Sequence, residues 1–356
     1  MVGPDWLDQV VDLAGDVALE AADGVAAGRI VDDMAMIDRL VGATRIGLGL
    51  AAVGRPGYIN LGHDVDLPAE RTVKSLRARV HILLDQAYAA GVRYIDVARS
   101  YGRAEEFLAD WLDARPDVDD VVVGSKWGYT YTAGWRVDAT VHEVKDHSIT
   151  TFERQLAETR ALIGNRLDLY QVHSVTPDSA ALTDATLHRR LARLAADGVA
   201  IGLSTSGPEQ GTAIRAALEL RVEGVPLFRS VQATWNLLEP AAGAALAEAH
   251  QAGCLVIVKE ALANGRLAGR EGGPVTAALT EIADDLATTP DAVALGAVLR
   301  QPWVTIVLSG AATSAQLASN LLAATLTLGP DHLARLTTLA EPSTQYWQHR
   351  SQLAWT

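Results

Sequence analysis

The chain has 356 residues, 49% hydrophobic and 21% charged, and 30 Lys and Arg stand against 43 Asp and Glu for a net charge of −13. So much apolar sequence excludes a disordered chain and can fill a sizeable core, either in two modest domains or in one large α/β barrel. The acidic balance excludes general binding to nucleic acid or to an anionic membrane surface, which need a surplus of Lys and Arg, while leaving room for a local cationic pocket.

Residues 1–43 read as an N-terminal extension, with apolar residues at helical intervals over 6–19 and again over 26–40. Three arrangements are open for it: packing on the base of the main domain, a homo-oligomer contact, or no fixed packing. The first residues lack a basic start followed by an apolar run, and nowhere does the chain reach the roughly 20 apolar residues of a spanning helix, so a soluble cytoplasmic protein with no membrane partner is expected. Cys254 is the single cysteine, which excludes an internal disulfide and a Cys-rich zinc site; its apolar run, 254–258, reads as core. The nine His form no ligand cluster, and no metal is expected.

From Arg45 onward β-prone runs alternate with helical stretches. Strands are predicted at 45–50, 94–96, 121–125, 167–172, 200–204, 230–234, 255–258 and 305–308. Helices are predicted between or after them at 77–90, 105–114, 151–163, 187–197, 212–220, 241–252, 275–287 and 291–300. Eight strands in alternation favour a single (β/α)8 TIM barrel over 44–356, with an open doubly wound sheet as the alternative. Gly91, Gly198, Gly224 and Gly253 each precede a β-prone residue and read as left-handed caps ending a helix. Two long connections, 51–75 and 127–148, interrupt the rhythm; in a barrel both leave the C-terminal ends of strands and are candidates for substrate loops.

The chemistry-bearing residues follow three consecutive strands. Asp96 ends the second, Tyr101 lies five residues on, Lys126 follows the third and His173 the fourth. A barrel gathers these ends on one face. Lys126 paired with Asp96 stays charged, and an ammonium nearby predicts that the Tyr101 pKa falls toward neutrality. With His173 hydrogen-bonding a carbonyl, the set suits proton transfer to an oxygen while hydride reaches the attached carbon.

The stretches 91–102 (GVRYIDVARSYG), 124–126 (GSK) and 168–173 (DLYQVH) resemble the aldo-keto reductase superfamily, over about 44–324. The resemblance implies a TIM barrel, NADPH- or NADH-dependent interconversion of a carbonyl compound (aldehyde, ketone or sugar) and its alcohol, and a tetrad of Asp96, Tyr101, Lys126 and His173 with Tyr101 as proton donor. It also implies cofactor contacts. Ser204 matches a residue that holds the nicotinamide carboxamide, Thr205 replaces the usual Asn beside it, and Gln232 matches the other amide partner. Lys259 stands where the family usually offers a Tyr, with Leu262, Asn264 and Arg266 following. Ser309, Gly310, Ala311, Ala312, Gln316 and Asn320 resemble the phosphate and adenosine segment, where Thr313 and Gln316 suit a capping box whose helix end offers amides to phosphate. The Lys or Arg that the family often places near Gly310, Ala312 or Gln316 is missing; Arg266 or Lys259 is the available substitute, so NADH and NADPH both stay open. An alternative is a cofactor-sensing regulatory protein resembling potassium channel beta subunits, working through a partner of the N-terminal extension.

Overall fold

The computed structural model describes residues 36–356; the expected helix at 6–19, and that at 26–40 up to residue 35, lie outside the described residues. Eight short runs of branched and small residues form the strands β1 (Ile46–Gly49), β2 (Tyr94–Asp96), β3 (Val122–Trp127), β4 (Leu169–Val175), β5 (Ala200–Thr205), β6 (Ser230–Thr234), β7 (Leu255–Lys259) and β8 (Ile306–Ser309). They pair in parallel in the order β1-β8-β7-β6-β5-β4-β3-β2 and close into a barrel, with Ile46 opposite Val307 at the seam. That seam decides against the open sheet. β3 and β4 run on past their expected ends, so Lys126 and His173 lie within strands.

The helices α1 (Val73–Ala89), α2 (Ala104–Asp113), α3 (Ile149–Ile163), α4 (Ala185–Ala196), α5 (Gln210–Leu218), α6 (Gly243–Gln251), α7 (Gly273–Asp285), α8 (Pro290–Leu299) and α9 (Ser314–Leu321) follow in order. Side chains cap several starts: Thr72, Ser148, Asp184, Thr289 and Thr313 each accept from a backbone N–H of the first turn. Gly91, Gly198 and Gly253 have the expected left-handed conformation after α1, α4 and α6. Gly224 does not end a helix. With Glu223 (φ 54°) it forms the two-residue turn of a hairpin pairing Arg221–Val222 with Val225–Pro226, both turn residues taking the positive φ that such a turn needs.

Met36 and Leu40, the described end of the extension, are buried against Tyr94, Val122, Leu169 and Leu255 and stopper the N-terminal mouth of the barrel. Arg39 pins them there by pairing with Asp168 and donating to the Val121 carbonyl. Cys254 is buried in the main core. Two helices beyond the predicted set, α10 (Pro330–Thr337) and α11 (Ser343–Ser351), build a second apolar cluster with α7 and α8 through Leu336, Tyr346 and Trp347. The 127–148 connection contains a hairpin of Tyr129–Tyr131 with Glu143–Lys145.

The loops after β1 and β2 cross at two glycines. The Gly54 carbonyl accepts from the Arg103 N–H at 2.8 Å, and Gly102 opposite it has φ +63°. A Cβ on Gly54 would lie 2.4 Å from the Tyr101 carbonyl oxygen, a backbone atom that cannot swing aside. Gly54→Ala is therefore expected to cost about 1–3 kcal/mol and to displace Tyr101. A thermal melt with a turnover assay checks this; an unchanged melting temperature and rate would refute it.

Candidate active site

Asp96 is the last residue of β2, opposite Gly124 of β3, two places before Lys126. That register brings the Lys126 ammonium onto Asp96 Oδ1, and it also donates to the Val97 carbonyl at 3.1 Å. Asp96 Oδ2 accepts from Gln232 Nε2 at 2.8 Å, so β2, β3 and β6 meet at one carboxylate. All three side chains are buried. Burial lowers the Lys126 pKa, with Asp96 opposing the shift.

Tyr101 leans over this pair, its ring centroid 5.0 Å from Lys126 Nζ. The expected fall of its pKa toward neutrality is overturned. Burial, seconded by the Asp96 carboxylate, raises it well above 10; Asp96 has already matched the Lys126 charge, leaving little for a tyrosinate. Tyr101 is a phenol, and no protein group among the described residues hydrogen-bonds its hydroxyl. His173 packs edge-on to Tyr101, centroids 5.6 Å apart. Burial, then Lys126, drives its pKa well below 6.5, so the imidazole is neutral. Ser100 Oγ lies 3.4 Å from His173 Nδ1; with the hydroxyl donating, the ring proton sits on Nε2.

A bulge in β4 sets His173 in place. Ser174 has φ 56°, its N–H donates to Ser204 Oγ at 2.9 Å, and the His173 carbonyl accepts from His147 Nε2 at 2.8 Å. Ser204 thus secures the bulge. Thr205 donates toward Gln210 Oε1 at 3.4 Å. Neither lines the pocket.

The pocket is an elongated cavity of about 560 Å³ over the C-terminal strand ends, from Tyr101 and His173 past Gln232 and Lys259 to Asn320. Leu262 and Asn264 line it, as do Ser309, Gly310, Ala311, Ala312, Gln316 and Asn320. Arg266 does not: it is held by Glu271 at 2.7 Å and by Glu341 at 3.0 Å. Lys259 donates to Thr234 Oγ1 at 2.8 Å and lies 3.7 Å from Glu260, whose carboxylate is gripped by Arg350 of α11. Burial, opposed by Glu260, lowers the Lys259 pKa to about 8. The capping box at α9 forms. Gln316 Oε1 takes the Ala312 and Thr313 amides and Ser309 Oγ that of Ala311, so Ser314 and Ala315 retain the free first-turn amides of the helix. Asn320 is tied to Ser309 and Asp291. Arg270, also in the wall, is bidentate to Asp66 at 2.7 and 2.8 Å.

Sequence reasoning marked the 51–75 and 127–148 loops, and both reach the pocket, through Arg55 and Tyr58 and through Glu143. It missed Arg350 and Trp355, which α11 and the tail after it deliver to the same cavity. The aromatic and basic residues of 346–355, following the last helical repeat, are the signal that marks them.

Residues 45–341 match the model of the aldo/keto reductase family. The chain belongs to that family, whose members are oxidoreductases. It is similar to an aldo-keto reductase of Strobilurus tenacellus, 26% identical over 83% of this chain and 88% of the relative. It is also similar to an NADP(+) aryl-alcohol dehydrogenase of Phanerodontia chrysosporium, 26% identical over 44% of this chain and 41% of that one. The fold matches the holo form of an aldo-keto reductase from Bacillus halodurans, with a TM-score of 0.64 and 20% identity over 86% of this chain and 95% of the other. Among the described residues no helix is long and apolar enough to cross a membrane, and no group of three His, Cys, Asp or Glu is placed to hold a metal ion.

Removing one partner of a buried ion pair strands the other charge. Lys126→Met is expected to cost about 3–5 kcal/mol, and Lys126→Met with Asp96→Asn to recover a large part of it. Denaturant melts of the three proteins test this; a single variant as stable as the parent would contradict it.

Proposed function

We propose that this protein reduces the carbonyl group of a small molecule to an alcohol, with Tyr101 as proton donor and a bound nicotinamide dinucleotide as the second substrate. The observation that carries this reading is Tyr101: a phenol with a free hydroxyl, beside a neutral imidazole and above a matched Lys–Asp pair. In that setting Tyr101 and His173 Nε2–H both donate to the carbonyl oxygen, polarise it, and deliver one proton from Tyr101 as negative charge develops there. Lys126 supports the phenolate that Tyr101 transiently becomes, and Asp96 and Gln232 hold Lys126 in place. His147, Ser174 and Ser204 fix the height of His173.

The pocket fits a dinucleotide. Gln232 Oε1 and Asn264 Oδ1 are buried acceptors without a partner, both belonging to residues of its wall, and a Cβ on Gly310 would meet nothing within 4 Å, leaving space for close approach to the backbone. Gln232, Lys259, Leu262 and Asn264 would hold the end nearest Tyr101, and 309–316 with Asn320 the other. When bound, the dinucleotide supplies the hydride. At the far end Asp291 lines the cavity, the Arg270 guanidinium in the wall is committed to Asp66, and Arg79, outside that wall, donates Nη1 to the Ala312 carbonyl at 3.0 Å. A 2′-phosphate would meet that acid with no uncommitted cation among the described lining residues at that end, which favours NADH over NADPH.

Tyr101→Phe is expected to lose nearly all turnover while binding the dinucleotide within a few-fold of the parent, read by fluorescence titration; unchanged turnover would refute the role of Tyr101. Parallel titrations of the parent protein should show NADH binding about tenfold or more tighter than NADPH, a difference of about 1.4 kcal/mol. Equal or tighter NADPH binding overturns the preference, and binding of neither overturns the oxidoreductase reading.

A further inference from the structure

We propose that Arg55 anchors a carboxylate of the substrate, so that the carbonyl compounds taken by this protein are oxo acids and the products hydroxy acids; the inference rests on the function proposed above. Arg55 sits in the loop after β1 and forms part of the pocket wall within the reach of Tyr101. Its guanidinium is almost wholly removed from water, at 2% exposure. Yet only one of its nitrogens has a protein acceptor: Nη1 donates to the Ser100 carbonyl at 2.7 Å and to Glu143 Oε2 at 2.9 Å. Nε is buried without a partner, and Nη2 has no acceptor among the described residues. The Nε–Nη2 edge is the one that meets a carboxylate through two parallel hydrogen bonds. Leaving a buried donor such as Nε unmatched is costly, and a ligand that matches it recovers that cost.

The surroundings favour the same ligand. Aromatic rings hold the guanidinium, with Cζ 4.7 Å from the Trp355 centroid, 5.4 Å from Tyr58 and 5.5 Å from Tyr101. The last distance puts the anchor over the ring of the residue that protonates the carbonyl. Charges near Tyr101 do not balance: Arg55, Lys126, Lys259 and Arg350 stand against Asp96, Glu143 and Glu260. Lys259 and Arg350 share a single carboxylate, Glu260, which Arg350 grips more closely. A surplus of one positive charge, inside a chain of net charge −13, matches a carboxylate; a dianionic phosphate would overshoot it. In the reaction the oxo carbon gains hydride from the nicotinamide, which is oxidised. The carbonyl oxygen gains the Tyr101 proton, Tyr101 is reprotonated from solvent, and the carboxylate on Arg55 is unchanged.

The test uses the full chain with reduced dinucleotide and compares short 2-, 3- and 4-oxo carboxylates with their methyl esters, in the parent, Arg55→Lys and Arg55→Met. For at least one chain length the parent should show kcat/KM about tenfold to a hundredfold higher for the acid than for its ester, mostly through KM. Arg55→Met should erase that ratio, and Arg55→Lys should keep part of it. The parent ratio needs no variant to fold. Esters equal to or better than acids at every length, faster turnover of a phosphorylated aldehyde than of any oxo acid, or an acid preference that survives in folded Arg55→Met would each overturn the proposal. Ester turnover that depends on Tyr101 would leave the oxidoreductase reading standing while the carboxylate anchor falls.

Discussion

The ion pair between Lys126 and Asp96 is the constraint on which the rest of the site depends. It joins three strands at a point without water, and it acts on both neighbours in the same chemical sense. Burial already keeps Tyr101 protonated, and the carboxylate adds to that; burial already keeps His173 neutral, and the ammonium adds to that. The outcome is a pair of neutral donors converging on one spot, over a charge pair that is matched overall but has its positive end beside the phenol. Such an arrangement stabilises an oxygen that is becoming negative more than one that is not, which is what accelerates a reaction rather than merely binding its reactant.

Around that centre the barrel behaves as a rigid plate and the loops as its fittings. The strands place Asp96, Lys126, Gln232 and Lys259 by register, and the β4 bulge places His173. Everything that gives the cavity its sign and shape beyond them arrives from outside the sheet: Arg55 and Tyr58 from the loop after β1, Glu143 from the hairpin, Arg350 and Trp355 from the C-terminal segment. Glu260 links these layers, since it stands beside Lys259 and receives the Arg350 guanidinium. Burial works against its charge, but Arg350 and Lys259 hold its pKa down to about 2.

The barrel was readable in the sequence because its βα units carry local signatures, a β-prone run and an amphipathic helix, joined after α1, α4 and α6 by a left-handed glycine. The four residues at the centre were readable for the same reason: Asp96, Lys126 and His173 lie towards the C-terminal ends of strands, and Tyr101 comes five residues after Asp96. What escaped depends on atoms distant along the chain. Ser204 has the right position but gives its oxygen to an amide freed by a bulge in the next strand, and a bulge has no sequence period. Arg266 looked available because Glu341, which holds it, lies 75 residues away. Gly224 follows a helix as the cap glycines do, yet Glu223 beside it also takes positive φ and makes a hairpin. The Tyr101 shift was misjudged in sign because proximity to an ammonium was legible and the depth of burial was not.

Tyr58 and Thr356 exchange two backbone hydrogen bonds, N–H to carbonyl in both directions at 3.2 and 3.1 Å, while Trp355 stacks on His142 with centroids 4.0 Å apart. The earliest loop of the barrel and the last residues of the chain are thereby sewn together over the cavity. Two segments far apart in the chain thus share one wall of the chamber. Loosening either segment would therefore open the same side of the chamber while leaving the sheet closed.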